Sequence, residues 1–284
     1  MATAQIARVA EKVAESGQMN NTPEPIAIVA QANGAVAEAY RSLRVALSKQ
    51  LAQGRRVFAF VSAWPGDGKS MVCTNVAIAL GQLHQKVLLI DGDLRRPTIS
   101  RVFGAQAKYG IADDLEKMPD SLCSGYASKY ANTFVLPRGL SETNPANLLS
   151  DERLQRVFLN LRGVYDAVII DTPPLSACSD ALMLAGKADG AVMVVSPKGW
   201  DGEVEARYKQ QLTEHGIEVM GIVLNGAKGA ESHGYGYGAG YGYGYGYGKG
   251  SYGHYGQPGE AAPKRKAAGK SGFKWPWSRP DSED

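Results

Sequence analysis

The sequence predicts an α/β fold, a mostly parallel sheet flanked by helices, on three observations. Six short apolar runs alternate with helically spaced stretches, a Gly-Lys-Ser turn joins the first run to the helix after it, and Asp91, Asp171 and Asn225 each stand just after an apolar run. Continuously apolar runs, as opposed to alternating ones, belong to strands buried on both faces. Strands separated by helices call for right-handed crossovers and parallel neighbours. Such sheets take ligands outside the carboxyl ends of their strands.

In chain order, residues 1–34 read as a short helix, with Ile6, Val9, Ala10 and Val13 at helical spacing, and a linker broken by Asn20, Asn21, Pro23 and Pro25. A second helix is expected over Glu38 to Leu51, with Leu43 and Leu47 on one face and Gly54 closing it. It opens a main domain over residues 35–230. The strands expected there are Val57 to Val61, Val87 to Ile90, Phe134 to Leu136, Val168 to Ile170, Ala191 to Val195 and Val219 to Leu224. Residues 231–256 are mostly glycine and tyrosine, with eight tyrosines between Tyr235 and Tyr255. Residues 257–284 are rich in Pro, Lys and Ala, with Trp275 and Trp277 near an acidic end. Glycine at this density leaves the backbone too free to hold a core, and both tails are expected to be disordered in isolation.

With 284 residues, 44% hydrophobic and 21% charged, the chain has the composition of a globular protein with one sizeable core. A formal charge of +3 gives no case for nucleic acid, and none is expected as a partner. Cys73, Cys123 and Cys178 have neither metal spacing nor an even count, which suits a reducing cytosol. No apolar run approaches the roughly 20 residues of a membrane span, and no secretory leader is recognisable. A cytoplasmic location follows as the expectation. The basic end, Lys264-Arg265-Lys266 with Lys270 and Lys274, reads as a solvating tail, with contact to anionic lipid as the alternative.

The run Ser62-Ala63-Trp64-Pro65-Gly66-Asp67-Gly68-Lys69-Ser70-Met71 lies between a strand and a helix, the context a Walker A phosphate loop requires. Its backbone N–H groups cradle phosphates, Gly66 and Gly68 allow close approach, and the helix N-terminus adds favourable polarity. Lys69, read as a side chain at an open loop, is expected on the β- and γ-phosphates, and the Ser70 hydroxyl on Mg2+. Ala63 departs from the strict pattern, which has glycine there. Leu88-Leu89-Ile90-Asp91-Gly92-Asp93-Leu94-Arg95 and Val168-Ile169-Ile170-Asp171-Thr172-Pro173-Pro174 put carboxylates directly after buried strands. A buried carboxylate needs a cation or donor nearby, and Mg2+ on phosphate oxygens supplies one. The bland readings are that Asp91 caps a loop and Asp171 starts a turn.

These residues resemble the bacterial tyrosine kinase family, the P-loop NTPase-like kinases that accompany exopolysaccharide and capsule export. Residues 88–95 fit its Walker A-prime pattern and Ile170-Asp171-Thr172-Pro173 its Walker B. Glu38-x-x-Arg41-x-x-Arg44 fits its oligomerisation motif, Asn144-Pro145-Ala146-Asn147-Leu148-Leu149 its mid-chain segment, and the tyrosine run its autophosphorylation cluster. The resemblance covers about residues 35 to 255. It implies an ATP- and Mg2+-dependent protein-tyrosine kinase in which Gly66, Asp67, Gly68, Lys69, Ser70 and Met71 hold the nucleotide and Ser70, Asp93 and Asp171 the metal. Lys69 and Asp93 then serve catalysis with Asp91 as base, while Asn225 contacts adenine or forms a turn with Gly226.

The same resemblance makes Tyr235, Tyr237, Tyr241, Tyr243, Tyr245, Tyr247, Tyr252 and Tyr255 phosphoacceptors, modified in trans within a ring built on Glu38, Arg41 and Arg44. The implied partners are a separate transmembrane polysaccharide co-polymerase adaptor, which would recruit the chain to the membrane, and a cognate phosphotyrosine phosphatase. By spacing alone, Glu38, Arg41 and Arg44 lie along one side of a helix and read as a solvated face. Arg95 suits either phosphate charge or a carboxylate partner, and Asp180 reads as the N-cap of the following helix, with a supporting role behind the site as the alternative. Competing readings are an ATPase of the cell-division-site or plasmid-partition type, which carries a signature lysine where this chain has Trp64, and a nucleotide-dependent scaffold.

Overall fold

The computed structural model describes residues 26–30, 33–103, 109–117, 125–149, 151–198 and 200–227. The expected N-terminal helix and both tails, with all eight tail tyrosines, lie outside the described residues. The elements run α1 (Ala27–Ala30), α2 (Ala35–Ala52), β1 (Val57–Val61), α3 (Lys69–Gly81), β2 (Val87–Asp91), α4 (Ile99–Val102), α5 (Ile111–Lys117), β3 (Tyr126–Ala127) and β4 (Thr133–Leu136). They continue with α6 (Pro145–Leu148), α7 (Asp151–Val164), β5 (Ala167–Asp171), α8 (Asp180–Ala185), β6 (Gly190–Val195), α9 (Gly202–Glu214) and β7 (Val219–Leu224).

All six expected strands form, in one seven-stranded sheet of order β3-β4-β2-β5-β1-β6-β7. Every pairing is parallel except the short β3 against β4. The continuous apolar runs have the predicted cause. Every residue of β1, β2, β5 and β6 is buried, so both faces of the central strands are covered. Phe58, Phe60, Leu89 and Ile169 face one layer, where they meet Val76 and Leu80 of α3 and Leu47 of α2. Leu88, Ile90, Val168 and Ile170 face the other, against Leu154, Phe158 and Leu161 of α7. On that second face, Ala59, Met193 and Val195 pack under α8 and α9.

Helix α3 follows the phosphate loop and is almost wholly buried from Val72 to Gly81. A helix apolar on all sides has no solvent face to show. Its C-terminal Gly81 lies so close to the chain at Ala131 that a Cβ there would stand 2.6 Å from the Ala131 carbonyl oxygen. Helix α2 closes near Gly54 at φ 84°, a left-handed conformation that glycine adopts without strain.

Candidate active site

The turn from β1 into α3 is held by its own polar groups. Ser62 Oγ donates to the Trp64 carbonyl at 3.1 Å, and the Trp64 N–H donates to Asp67 Oδ2 at 3.1 Å. Gly66 and Gly68 both sit at φ 85°, the left-handed region that lets the loop wrap an anion. Buried Ala63, in place of the usual first glycine, accepts the Ser176 N–H at 3.1 Å, so the turn after Walker B braces the loop. Asn225 comes to the same place from the end of β7, with its Nδ2 donating to the Asp67 carbonyl at 2.9 Å. A Cβ on Gly68 would lie 1.9 Å from that Nδ2, so only glycine fits.

Lys69 begins α3 and points under the loop. Its Nζ is 2.7 Å from Asp171 Oδ1, and both side chains are nearly inaccessible. The open-loop reading of Lys69 is thus corrected: the lysine is buried and its charge is taken up by the Walker B carboxylate. Burial pulls its pKa down, but the Asp171 carboxylate outweighs that and the value ends above the ordinary lysine range. Cys73, one turn along α3, places Sγ 3.8 Å from the same Asp171 oxygen. Burial first and Asp171 second hold its thiol well above the usual range. The i, i+4 spacing of Lys69 and Cys73 was the signal for this neighbour.

Asp91 and Asp171 end β2 and β5 and stand opposite one another in register. Asp91 Oδ2 accepts both the Ser100 N–H at 2.8 Å and the Ser100 hydroxyl at 2.7 Å. Asp91 Oδ1 and Asp171 Oδ2 are buried without a hydrogen-bond partner among the described residues. Burial, then the Asp171 charge, push the Asp91 carboxyl up to about 7, against the lowering pull of Ser100. The unsatisfied Asp171 oxygen fits a hard divalent cation, which takes oxygen ligands, and the unsatisfied Asp91 oxygen is open to a proton. Among the described residues no group of three or more His, Cys, Asp or Glu would hold a metal alone, so Mg2+ would be shared with phosphate oxygens, Ser70 and water. Asp93 lies two residues beyond Asp91, buried, its Oδ1 accepting the Arg96 N–H at 2.9 Å.

Arg95 resolves in favour of a carboxylate partner: its Nε donates to Asp180 Oδ2 at 2.8 Å. This corrects the capping role of Asp180. The position before α8 is Ser179, which makes no side-chain cap bond, while Asp180 is the helix's first residue and is 98% buried, a depth at which its charge needs the guanidinium. The Glu38, Arg41, Arg44 triplet also divides. Glu38 and Arg41 pair at 2.9 Å on the exposed face of α2, whereas Arg44 turns inward, its guanidinium donating to the Ala79 carbonyl of α3 at 3.3 Å. The expected stripe of three solvated charges is therefore a pair plus a helix-bridging arginine. Ser100 was not legible, since it belongs to no motif and meets Asp91 only because α4 folds back over the end of β2.

A family model described as ParA, NUBPL iron-transfer P-loop NTPase, matches residues 53–234. The tyrosine-protein kinase YwqD of Bacillus subtilis is 34% identical over 192 residues, 67% of this chain and 81% of YwqD. The tyrosine-protein kinase wzc of Salmonella typhimurium is 33% identical over 70% of this chain, which spans only 28% of that longer protein. Among solved structures, the kinase domain of Escherichia coli tyrosine kinase ETK superposes with TM-score 0.69 and 26% identity, over 81% of this chain and 91% of that domain. The Pyrococcus horikoshii septum site-determining protein MinD with Mg-ADP is more distant, with TM-score 0.52 and 26% identity over 60% of this chain and 69% of MinD. On its phosphate loop, its paired carboxylates and these relatives, the chain belongs to the bacterial tyrosine-protein kinase family within the ParA-type P-loop NTPases.

Proposed function

We propose that this chain transfers the γ-phosphoryl group of Mg-ATP to tyrosines of its own C-terminal run, in trans within an oligomer. The observation that carries the reading is the cluster of Lys69, Asp91 and Asp171 beneath a phosphate loop whose neighbour, Asn225, is the root of the tyrosine tail. Lys69 exchanges Asp171 for phosphate oxygens when nucleotide enters. Asp171, Ser70 and Asp93 would then be the residues that hold Mg2+. Bound Mg2+ supplies charge neutralisation on the phosphates.

Asp91 takes the proton that the tyrosine hydroxyl loses as its oxygen bonds to the γ-phosphorus and the bond to the β-phosphate oxygen breaks. A carboxyl held near 7 is matched to that task at neutral pH. The Ser100 bonds fix the carboxylate with Oδ1 unengaged. Asn225, whose side chain donates to the loop at Asp67, would meet the adenine ring.

The pathway role is exopolysaccharide or capsule export, with a transmembrane co-polymerase adaptor as recruiter and a phosphatase resetting the tail. Among the described residues no helix is long and apolar enough to cross a membrane. The Glu38–Arg41 pair, exposed on α2, is the part of the oligomerisation motif available to a neighbouring subunit. The ATPase reading is disfavoured by Trp64, since an indole cannot replace a phosphate-binding lysine. Iron transfer finds no metal-spaced cysteine pair here. Incubation of the purified chain with Mg-ATP followed by intact-mass measurement tests the proposal. Mass increments of phosphate on residues 231–256 are expected, and ADP release with an unmodified tail would sink it.

A further inference from the structure

Two tryptophans stand at the carboxyl end of the sheet without a part in the phosphate chemistry. Trp64 lies three residues past β1, inside the phosphate loop, and Trp200 lies five residues past its parallel neighbour β6. Both are half-buried and pack on one apolar cluster, with Leu175, Val204 and Tyr208. The carboxyl end is thus divided by the loop. Carboxylates occupy the side above β2 and β5, and aromatic surface occupies the side above β1 and β6.

We propose that Trp64, backed by Trp200, is a stacking platform for the phenol ring of an acceptor tyrosine from residues 234–256 of this chain. The inference rests on the phosphotransfer reading above and names its acceptor subsite. Three observations select this occupant. The described chain stops at Ala227, two residues after Asn225, whose amide touches the loop that contains Trp64. Tyr235 follows eight residues later, a span of at most roughly 8 × 3.4 Å, or about 27 Å, so every tail is rooted beside such a loop, and reach alone permits the platform of its own subunit or of a neighbour. Six of the eight tail tyrosines have glycine on both sides, so no neighbouring side chain obstructs either ring face. An indole at the loop gives a sequence-tolerant π surface, suited to a series of equivalent tyrosines rather than to one defined peptide. It holds the ring beside the phosphates while the hydroxyl reaches past the loop.

The test uses the full chain with Mg-ATP and a synthetic Gly-Tyr-Gly-Tyr-Gly acceptor. Trp64→Ala should raise the KM for the acceptor about tenfold, with kcat and the KM for Mg-ATP little changed, and Trp64→Phe should restore most of the loss. Trp200→Ala should give a smaller rise of the same kind. A rise in the KM for Mg-ATP alone would mean that the ring meets the adenine and would overturn the proposal, as would no change in either. A second measurement does not need phosphotransfer. Acrylamide quenching of Trp64, isolated as the difference between the chain and Trp64→Phe, should increase about twofold when the eight tail tyrosines are replaced by serine. Unchanged quenching overturns the platform even in an active kinase. Increased quenching in a chain that never phosphorylates its tail supports the platform and refutes the phosphotransfer reading instead.

Discussion

The two ends of the same sheet treat carboxylates in opposite ways. At the amino end, Asp189 accepts the N–H groups of Arg56 and Val57, where the chain enters β1, at 2.6 and 2.8 Å and pairs with Arg162 at 2.8 Å. Asp166 likewise accepts the Lys86 N–H at 2.8 Å where the chain enters β2. Burial works to raise the Asp189 carboxyl, but the two backbone N–H groups and Arg162 bring it below its ordinary range. At the carboxyl end, Asp91 and Asp171 each leave one oxygen unused, and Asp91 is raised to about 7. A carboxylate that serves the fold is saturated by the fold. One that serves a ligand is left incomplete and costs stability until the ligand arrives.

The largest test of this contrast is Lys69→Met. Phosphotransfer should fall by about a thousandfold, since a charge that stabilises the transferring phosphoryl is removed. The ligand-free protein should also lose about 3 kcal/mol, because Asp171 is left buried without its cation. Phosphotyrosine signal and urea midpoints read the two effects, and an unchanged midpoint would contradict the buried pairing.

Next is the pH dependence of Asp91. Its folded pKa lies above the roughly 3.9 of an unfolded chain, so the native state holds the extra proton across that window. Stability therefore falls as pH rises from about 4 to about 7. Asp91→Asn should remove a penalty on the order of 2–4 kcal/mol at pH 8 and change little at pH 4. Denaturation midpoints at the two pH values check the sign, and a variant less stable than the parent at pH 8 would refute it. Asp189 has the opposite sign, its contribution being present above the unfolded carboxyl range and lost as pH falls below about 4.

Asp189→Ala should cost about 2 kcal/mol, from two backbone donors and a guanidinium left unpaired in a partly exposed site, without altering the kinetics of the folded fraction. Smallest of all, Glu38→Gln should change monomer stability by less than about 0.5 kcal/mol, since its ion pair with Arg41 is exposed. A marked fall in sedimentation coefficient for that variant would show that the pair works between subunits.

The strands were legible because burial on both faces leaves an unbroken apolar run, as in Val87 to Ile90. Only β3 was missed, since two residues at a sheet edge carry no period to read. The phosphate loop was legible for a similar reason, as its glycines and Gly-Lys-Ser turn lie in one stretch of chain. What sequence could not supply were partnerships between distant segments. Lys69 with Asp171, Asp91 with Ser100 and Arg95 with Asp180 are separated by 102, 9 and 85 positions. Such contacts depend on which strand lies beside which. A side chain's residue type does not tell where its charge is spent.

One contact ties mechanics to chemistry. Asn225 is bound by its backbone N–H to the Val195 carbonyl of β6 and by its side chain to the Asp67 carbonyl of the phosphate loop. With no room for a Cβ at Gly68, the fit between them has no slack. The terminal segment is thus anchored at the nucleotide's doorstep, and a pull along it bears first on the loop that grips phosphate. A pull on the chain beyond β7 would be felt first at that loop, which makes Asn225 a strain gauge between the sheet edge and the phosphate site.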